Sequence, residues 1–301
     1  MTVLGMGTYR SRDAAASVSV AASAGCPLID TAPVYGGGAH QAVIAPVLRT
    51  HPRIRVSSKV GHMTGGQARA AVARGALHGH DARLRHSIAP DYVRHQIAMS
   101  RIELQRRVLD VVYLHNPEHH HQERGRLRHR LRHAFTALEE AHAAGVIRGY
   151  GVATWTGFDS GAFTVDGLTR LAREAAGGHE TGLAAIQLPV SMVKAAPVRQ
   201  SLRGTGPVHQ ARGAGLEVWA SAPFHGGELP PLINRKLADA VHPGSSGVEA
   251  ALRFTASTPG LTGVLISTSS AAHWRQAAAA IRTSVPPRRL KDICELLQPS
   301  R

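Results

Sequence analysis

The stretch Ile29-Asp30-Thr31-Ala32-Pro33-Val34-Tyr35-Gly36-Gly37-Gly38 decides how the rest of the chain is read. The apolar run Pro27, Leu28 and Ile29 predicts a buried strand ending at Asp30, and the glycine cluster marks a turn. An acid and a phenol are thereby delivered to one end of a strand. Two later segments repeat the pattern: Arg53 to Ser58 leads into Lys59, and Val108 to Leu114 leads into His115. Asp30, Tyr35, Lys59 and His115 thus emerge at the C-terminal ends of successive strands, where parallel barrels place their chemistry.

Outward from there, apolar runs alternate with Ala-rich helical segments, as repeated βα units of a parallel sheet require. The expected strands are Thr2–Met6, Pro27–Asp30, Ile54–Ser58, Leu109–His115, Arg148–Val152, Ala184–Gln187, Leu216–Ser221 and Gly263–Ile266. Helices are expected at Asp13–Ala24, Pro90–Leu104, Leu131–Ala144, Leu168–Ala176 and Gly247–Ala256, with a short amphipathic helix after Pro287. Eight such units favour a closed (β/α)₈ barrel, an α/β fold that commonly runs to about 250 residues or more as one domain. Residues 1–301 are read as that single domain. Three long connections, Gly61–Ser87, Asn116–Arg128 and His225–Ser246, follow strands and are expected to shape a pocket.

The motifs closely resemble the aldo-keto reductases, a family of nicotinamide-dependent (β/α)₈ enzymes. Leu4-Gly5-Met6-Gly7-Thr8-Tyr9 is similar to the family's first strand, and Asp30 to Gly38 to its second. Ser58-Lys59-Val60-Gly61, Leu114-His115-Asn116-Pro117-Glu118, Gly145 to Val152, Ile186-Gln187-Leu188-Pro189 and Ala220 to Gly227 follow in family order. The resemblance implies a catalytic tetrad of Asp30, Tyr35, Lys59 and His115, with all four residue types intact.

The chemistry of those types agrees. Carbonyl reduction needs a hydride, which a nicotinamide carries, and a proton, which the protein supplies. A free phenol has a pKa of about 10, and a nearby ammonium is expected to lower it. Lys59 is suited to that, Asp30 to keeping Lys59 charged, and His115 to hydrogen-bonding the substrate oxygen. An aldehyde or ketone, or an imine, is the expected small-molecule substrate. Two other readings use the same residues: a Schiff-base lyase built on Lys59, and a nicotinamide-binding barrel acting as a sensor or partner subunit.

For the cofactor, the resemblance implies contacts from Gly7, Thr8, Tyr9 and Asp30 at the first two strands. In the family a Ser-Asn pair after the fifth strand and a Gln on the sixth hold the nicotinamide amide; here Ala153 and Thr154 stand beside a retained Gln187. Ser221 occupies the position of a family Tyr that stacks on the nicotinamide, with Trp219 two residues away. Pro223, Phe224 and Gly226 belong to a loop suited to pyrophosphate, because glycine lets backbone N–H groups approach closely. Ser267, Thr268 and Ser269, with His273 and Arg275, form a helix start expected to receive the 2′-phosphate of NADP(H). NADP(H) is therefore favoured, and NAD(H) is the alternative.

Composition bounds the rest. The chain has 35 Lys+Arg, 20 Asp+Glu and 19 His, a net charge of +15, yet the arginines are scattered and no nucleic-acid motif accompanies them. A solvated Arg-rich surface is expected, without a specific nucleic-acid partner. No apolar run approaches the roughly 18 residues of a membrane-spanning helix. The segment from Arg10 to Cys26 imitates an export signal, but Asp13 interrupts its basic start and the run is mostly Ala and Ser, so it is read as the first helix. Cys26 and Cys294 are expected to be buried reduced thiols of a cytoplasmic protein. His119-His120-His121 is expected to be a surface loop and no metal site, since consecutive histidines seldom converge on one ion.

Overall fold

Side chains alternate across each strand, and in this chain that parity separates two kinds of core. The computed structural model describes residues 1–120 and 123–297. Its strands are β1 (Val3–Gly7), β2 (Leu28–Asp30), β3 (Arg55–Val60), β4 (Val111–His115), β5 (Tyr150–Ala153), β6 (Leu183–Pro189), β7 (Glu217–Ser221) and β8 (Gly263–Ile266). They pair in parallel and in chain order, and β1 closes on β8, so the sheet is a barrel without edges. The expected strands are all present, with ends shifted by one or two residues at most positions.

Helices α1 (Ala14–Ser23), α2 (His40–Thr50), α3 (Gly65–Ala73), α4 (Gly79–Leu84), α5 (Pro90–Glu103), α6 (Arg124–Ala143) and α7 (Val165–Ala176) serve the first half. The second half carries α8 (Ala196–Leu202), α9 (Gly206–Gly213), α10 (Arg235–Val241), α11 (Gly247–Ala256), α12 (Ala271–Ala280) and α13 (Pro287–Leu296). The run resembling an export signal is α1: Asp13 caps it by accepting from Ala16 N, and its inner face is buried.

One expectation is corrected. Helix α6 begins at Arg124, seven residues before the expected start, because Leu127, Leu131, Ala134, Phe135 and Leu138 form a buried stripe while the intervening arginines stay in solvent. Counting the basic run as loop hid its first two turns. The long connections after β3 and β7 contain α3 and α4, and α10.

Outward-facing strand residues such as Met6, Ile29, Val112, Val152, Ile186 and Val264 join the helices in one large apolar cluster. Inward-facing residues form two small separate clusters: Val111, Tyr113, Ala153 and Ala185, and then Leu28, Trp219 and Leu265. Trp219 is 1% exposed and fills the barrel floor. Its indole N–H donates to Glu217 Oε2 at 2.8 Å, and Glu217 pairs with Arg55 across the barrel through bonds of 2.8 and 3.2 Å. The floor is thus plugged by one indole and one ion pair, which leaves the other end open for chemistry.

That plug depends on missing side chains. A Cβ on Gly263 would stand 2.3 Å from Trp219 Cζ3, and one on Gly5 would stand 2.8 Å from the same atom. Gly263→Ala is therefore expected to destabilise the fold by about 1–3 kcal/mol, the usual cost of overpacking. Urea unfolding measures it. Combining Gly263→Ala with Trp219→Leu should cost less than the sum of the two, because the smaller side chain removes the clash.

Candidate active site

The C-terminal parts of β2, β3, β4, β6 and β7 contribute Asp30, Lys59, His115, Gln187 and Ser221 to the open mouth of the barrel. Asp30 ends β2 in register with Ser57 of β3, and Lys59 lies two residues beyond Ser57 on the same face. Lys59 Nζ donates to Asp30 Oδ2 at 2.5 Å and to the Thr31 carbonyl at 2.9 Å. Ser57 Oγ and Gln187 Nε2 both donate to Asp30 Oδ1, at 2.7 and 3.0 Å. Lys59 is 1% exposed and Asp30 3%, so this is a buried ion pair whose oxygens are occupied by donors from β3 and β6. Such a pair persists only when its polar atoms are satisfied this fully.

Tyr35 follows β2 and begins a short 3₁₀ turn, Tyr35–Gly38. Gly36 makes the turn possible: its φ is +59°, and a Cβ there would overlap the ring of His40. Lys59 Nζ lies 5.0 Å from the Tyr35 ring centroid. His115 meets Tyr35 edge-on, with centroids 5.9 Å apart at 85°, and Tyr9 covers Tyr35 from outside at 5.2 Å. The four residues singled out from the sequence are therefore neighbours.

Their proton affinities differ from the sequence expectation at one point. Tyr35 is held well above the usual phenol value of 10.0, by burial first and then by the negative charge of Asp30 and the neighbouring Tyr9 phenol. Lys59 does not lower it, because its charge is matched by Asp30 at 2.5 Å. Burial also lowers Lys59, and Asp30 opposes that shift. His115 is held well below 6.5 by burial, then by Lys59, His62, His86 and His119. Its Nδ1 is buried without a hydrogen-bond partner. The site is thus a neutral phenol and a neutral imidazole above a matched ion pair.

The expected cofactor positions divide into two groups. Gly7 pairs with Asp30 at the mouth, Tyr9 lies over Tyr35, and Gln187 reaches Asp30. Two hydroxyls are already engaged. Thr8 Oγ1 donates to Thr31 Oγ1 at 2.8 Å, and Thr154 Oγ1 donates to Glu118 Oε1 at 2.6 Å while accepting from Gly157 N. Ser221 is partly exposed at the end of β7, one pleat above Trp219, which lies in the floor and not at the mouth.

Beyond β7, Pro223 is buried and Phe224 packs against the core. His225, Gly226 and Gly227 then run with φ of +48°, +75° and +99°. The His225 and Gly227 N–H groups close this turn on the Ala222 and Phe224 carbonyls, both at 3.0 Å, so what the loop offers a ligand is close backbone approach at its glycines. Beyond β8, Ser267 and Ser269 are exposed, Thr268 Oγ1 accepts from Ser270 N, and Ser270 caps α12 by accepting from His273 N. Arg275 is exposed on the same helix, and Ala277 is buried on its inner face.

Sequence reading missed His62 and His86. Their rings adjoin His115, His119 and His120 although the connections containing them are far apart in the chain. The only hint was the abundance of histidine. His121 lies outside the described residues. Among the described residues, no group of three His, Cys, Asp or Glu side chains is placed to hold a metal ion, and no helix is long and apolar enough to cross a membrane. Cys26 and Cys294 are both buried and free, and burial raises the Cys26 thiol to about 11.

Known proteins share this architecture. Residues 3–236 match the model of the aldo/keto reductase family. A D-threo-aldose 1-dehydrogenase from a Pseudomonas species is 32% identical over 170 residues, 54% of this chain and 48% of that protein. The match thus spans about half the length of that relative. Among solved structures, an aldo-keto reductase from Klebsiella pneumoniae in complex with NADPH superposes with a TM-score of 0.66 at 19% identity, covering 99% of this chain and 92% of that one. An aldo-keto reductase from a Medee basin deep-sea metagenome library gives 0.68 at 15% identity, covering 98% and 91%. With the match extending from β1 into α10, the chain belongs to the aldo/keto reductase family, a family of oxidoreductases.

Proposed function

We propose that this enzyme transfers a hydride between a nicotinamide cofactor and a carbonyl carbon, with Tyr35 giving the proton to the carbonyl oxygen. The observation that carries the reading is the buried Lys59–Asp30 pair beside the Tyr35 ring, with His115 edge-on to the same ring. Aldehydes and ketones are the substrate class, with imines as isosteric candidates. The sugar dehydrogenase named among the relatives supports an aldose or another hydroxylated aldehyde as a first substrate to try.

A bound nicotinamide would supply the hydride. This chain's residues would hold it in three places. Gln187 sits at the barrel mouth, the left-handed run His225–Gly227 lets the backbone be approached closely at its glycines, and the start of α12 offers exposed serines. Thr154 is the weakest member of the set, because Glu118 and Gly157 already use its hydroxyl.

Within the site, Tyr35 donates its proton as negative charge develops on the carbonyl oxygen. His115, neutral, donates a second hydrogen bond to that oxygen and fixes its position. Lys59 keeps the Asp30 carboxylate paired, so that the phenolate left behind does not face an unmatched negative charge. A Schiff base at Lys59 is disfavoured, since its Nζ is buried and bonded to both Asp30 and Thr31.

Tyr35→Phe is expected to lower kcat for carbonyl reduction by about 10²–10⁴ while leaving the Kd of the reduced cofactor nearly unchanged. Steady-state kinetics with a panel of aldehydes and ketones, paired with fluorescence titration of the cofactor, checks this. Near wild-type turnover in Tyr35→Phe would mean another group supplies the proton. Lys59→Met should lose kcat similarly.

The pH profile follows from the two opposed shifts. His115 remains neutral down past its ordinary 6.5, and Tyr35 remains protonated up past its ordinary 10.0. Both are therefore in the form that reduction uses throughout that interval. The expected log(kcat/KM) for an uncharged aldehyde is flat between those limits, falling only outside them. A break inside the interval would show that one of the shifts is misassigned.

For cofactor choice, we favour NADP(H). The exposed Ser267, Ser269 and His273 at the start of α12, with Arg275 one turn along, suit an added phosphate. NADPH is expected to bind more tightly than NADH, and Arg275→Ala to narrow the gap by weakening NADPH alone. Tighter NADH binding that ignores Arg275→Ala would reverse the preference.

A further inference from the structure

Five imidazoles meet at the barrel rim beside Tyr35. His115 ends β4, His62 follows β3, His86 follows α4, and His119 and His120 lie beyond β4. His62 is the hub: its ring lies 4.9 Å from His115, 4.7 Å from His86 and 4.9 Å from His119. His119 and His120 are 5.7 Å apart. Burial falls steadily along this strip, from His86 at 2% exposure through a half-buried His62 to exposed His119 and His120. Only His115 has a task in the reaction described above.

Three roles suit clustered imidazoles. Metal ligation needs nitrogens converging on a point, and among the described residues no three ligating side chains do so. Direct proton relay needs nitrogen-to-nitrogen bonds, whereas His62 meets His115 and His119 edge to face, at 87° and 89°. Charge recognition needs neither. The groups facing His62 are His86, His115, Glu118, His119 and His120, together with the Asn116 amide, and Lys59 acts on His115 from beneath. Glu118 is the single acid among them, and its Oε1 is taken by Thr154 and Thr156.

A cluster of this kind resists charging alone. Burial, then His119 and His120, lower His62 to about 4, and Glu118 only partly opposes them. An anion placed among the rings would relieve that repulsion and gain charge-assisted hydrogen bonds. We propose that the imidazole cluster recognises an oxyanion substituent, a carboxylate or phosphate, carried by the carbonyl substrate. Contact between His62 and His115 puts that substituent within a few bonds of the reacting carbonyl. The inference rests on the reading that Tyr35 and His115 hold the carbonyl oxygen. Its pH sign is fixed by linkage. Anion binding takes up protons, so affinity for the anion rises as pH falls toward the imidazole range and is lost as pH rises.

Matched substrates test it. 4-Oxobutanoate is compared with its methyl ester, and glyceraldehyde 3-phosphate with glyceraldehyde, at about pH 6 and about pH 8.5, either side of an imidazole's ordinary range. At the lower pH, kcat/KM is expected to favour at least one anionic partner by about tenfold, the scale of one charge-assisted bond. The advantage should shrink at the higher pH, and the pair that shows it tells carboxylate from phosphate. In His62→Gln and His119→Gln, which keep polarity and lose the charge, the anionic-to-neutral ratio should collapse toward one. A second readout needs no turnover: succinate or inorganic phosphate should raise the titration midpoint of His62, followed by its imidazole proton resonance. A raised midpoint with no carbonyl turned over would support the anion site and count against the catalytic reading. Turnover with ratios near one at both pH values, and a His62 midpoint unmoved by either anion, would overturn the proposal and leave the rings as an aromatic wall.

Discussion

The Asp30 carboxylate is the node on which the barrel mouth depends. It accepts from Lys59 and Ser57 of β3 and from Gln187 of β6, so one side chain ties its own strand to two others. Removing water from two charges costs several kcal/mol per ion, and the cost is offset only when geometry and hydrogen bonding are nearly complete. Here they are, and the result is a fixed ammonium beneath Tyr35. The same pairing explains why Tyr35 is not acidified. An ammonium matched at 2.5 Å presents almost no net charge to the phenol, which is governed by burial and by the carboxylate behind it.

The far end of the barrel is closed by a different device. Arg55, Glu217 and Trp219 lie on the same inward parity as Lys59 and Ser221, two or four residues earlier on their strands. A single strand register thus sets the floor and the mouth together, and slipping one strand by a residue would turn both outward. Gly5 and Gly263 leave room for the indole. The mouth can therefore carry polar side chains, because packing of the barrel interior has been met below.

The charge of the molecule is arranged on two scales. Most arginines lie on exposed helix faces, where pairs such as Arg94–Glu140 and Arg128–Glu174 are solvated and contribute little. At the mouth, histidines bring weak bases together in partial burial, where protonation depends on what else is bound. The surface excess of positive charge favours approach of anions in general, and the proposed role of the imidazoles adds local discrimination to it.

Much of this was legible along the chain. The apolar runs, their spacing and the polar residue at each strand end pointed to a parallel barrel with Asp30, Tyr35, Lys59 and His115 at one mouth, because strand parity and the βα repeat are local properties. The start of α6 was misplaced for a local reason as well: its arginines masked a buried stripe of regular period. What the linear order did not carry were relations between distant residues. That Tyr35 is raised rather than lowered follows first from its burial and then from the Asp30 charge, with Lys59 matched by that acid at 2.5 Å, and that Thr154 is engaged follows from Glu118 arriving from another strand end. His62, His86 and His119 become one cluster only when the β3 and β4 connections fold over the same rim. Periodicity fixes which face a residue occupies; proton affinity and hydrogen-bond partnership depend on distances across the barrel, which only the closed tertiary structure sets.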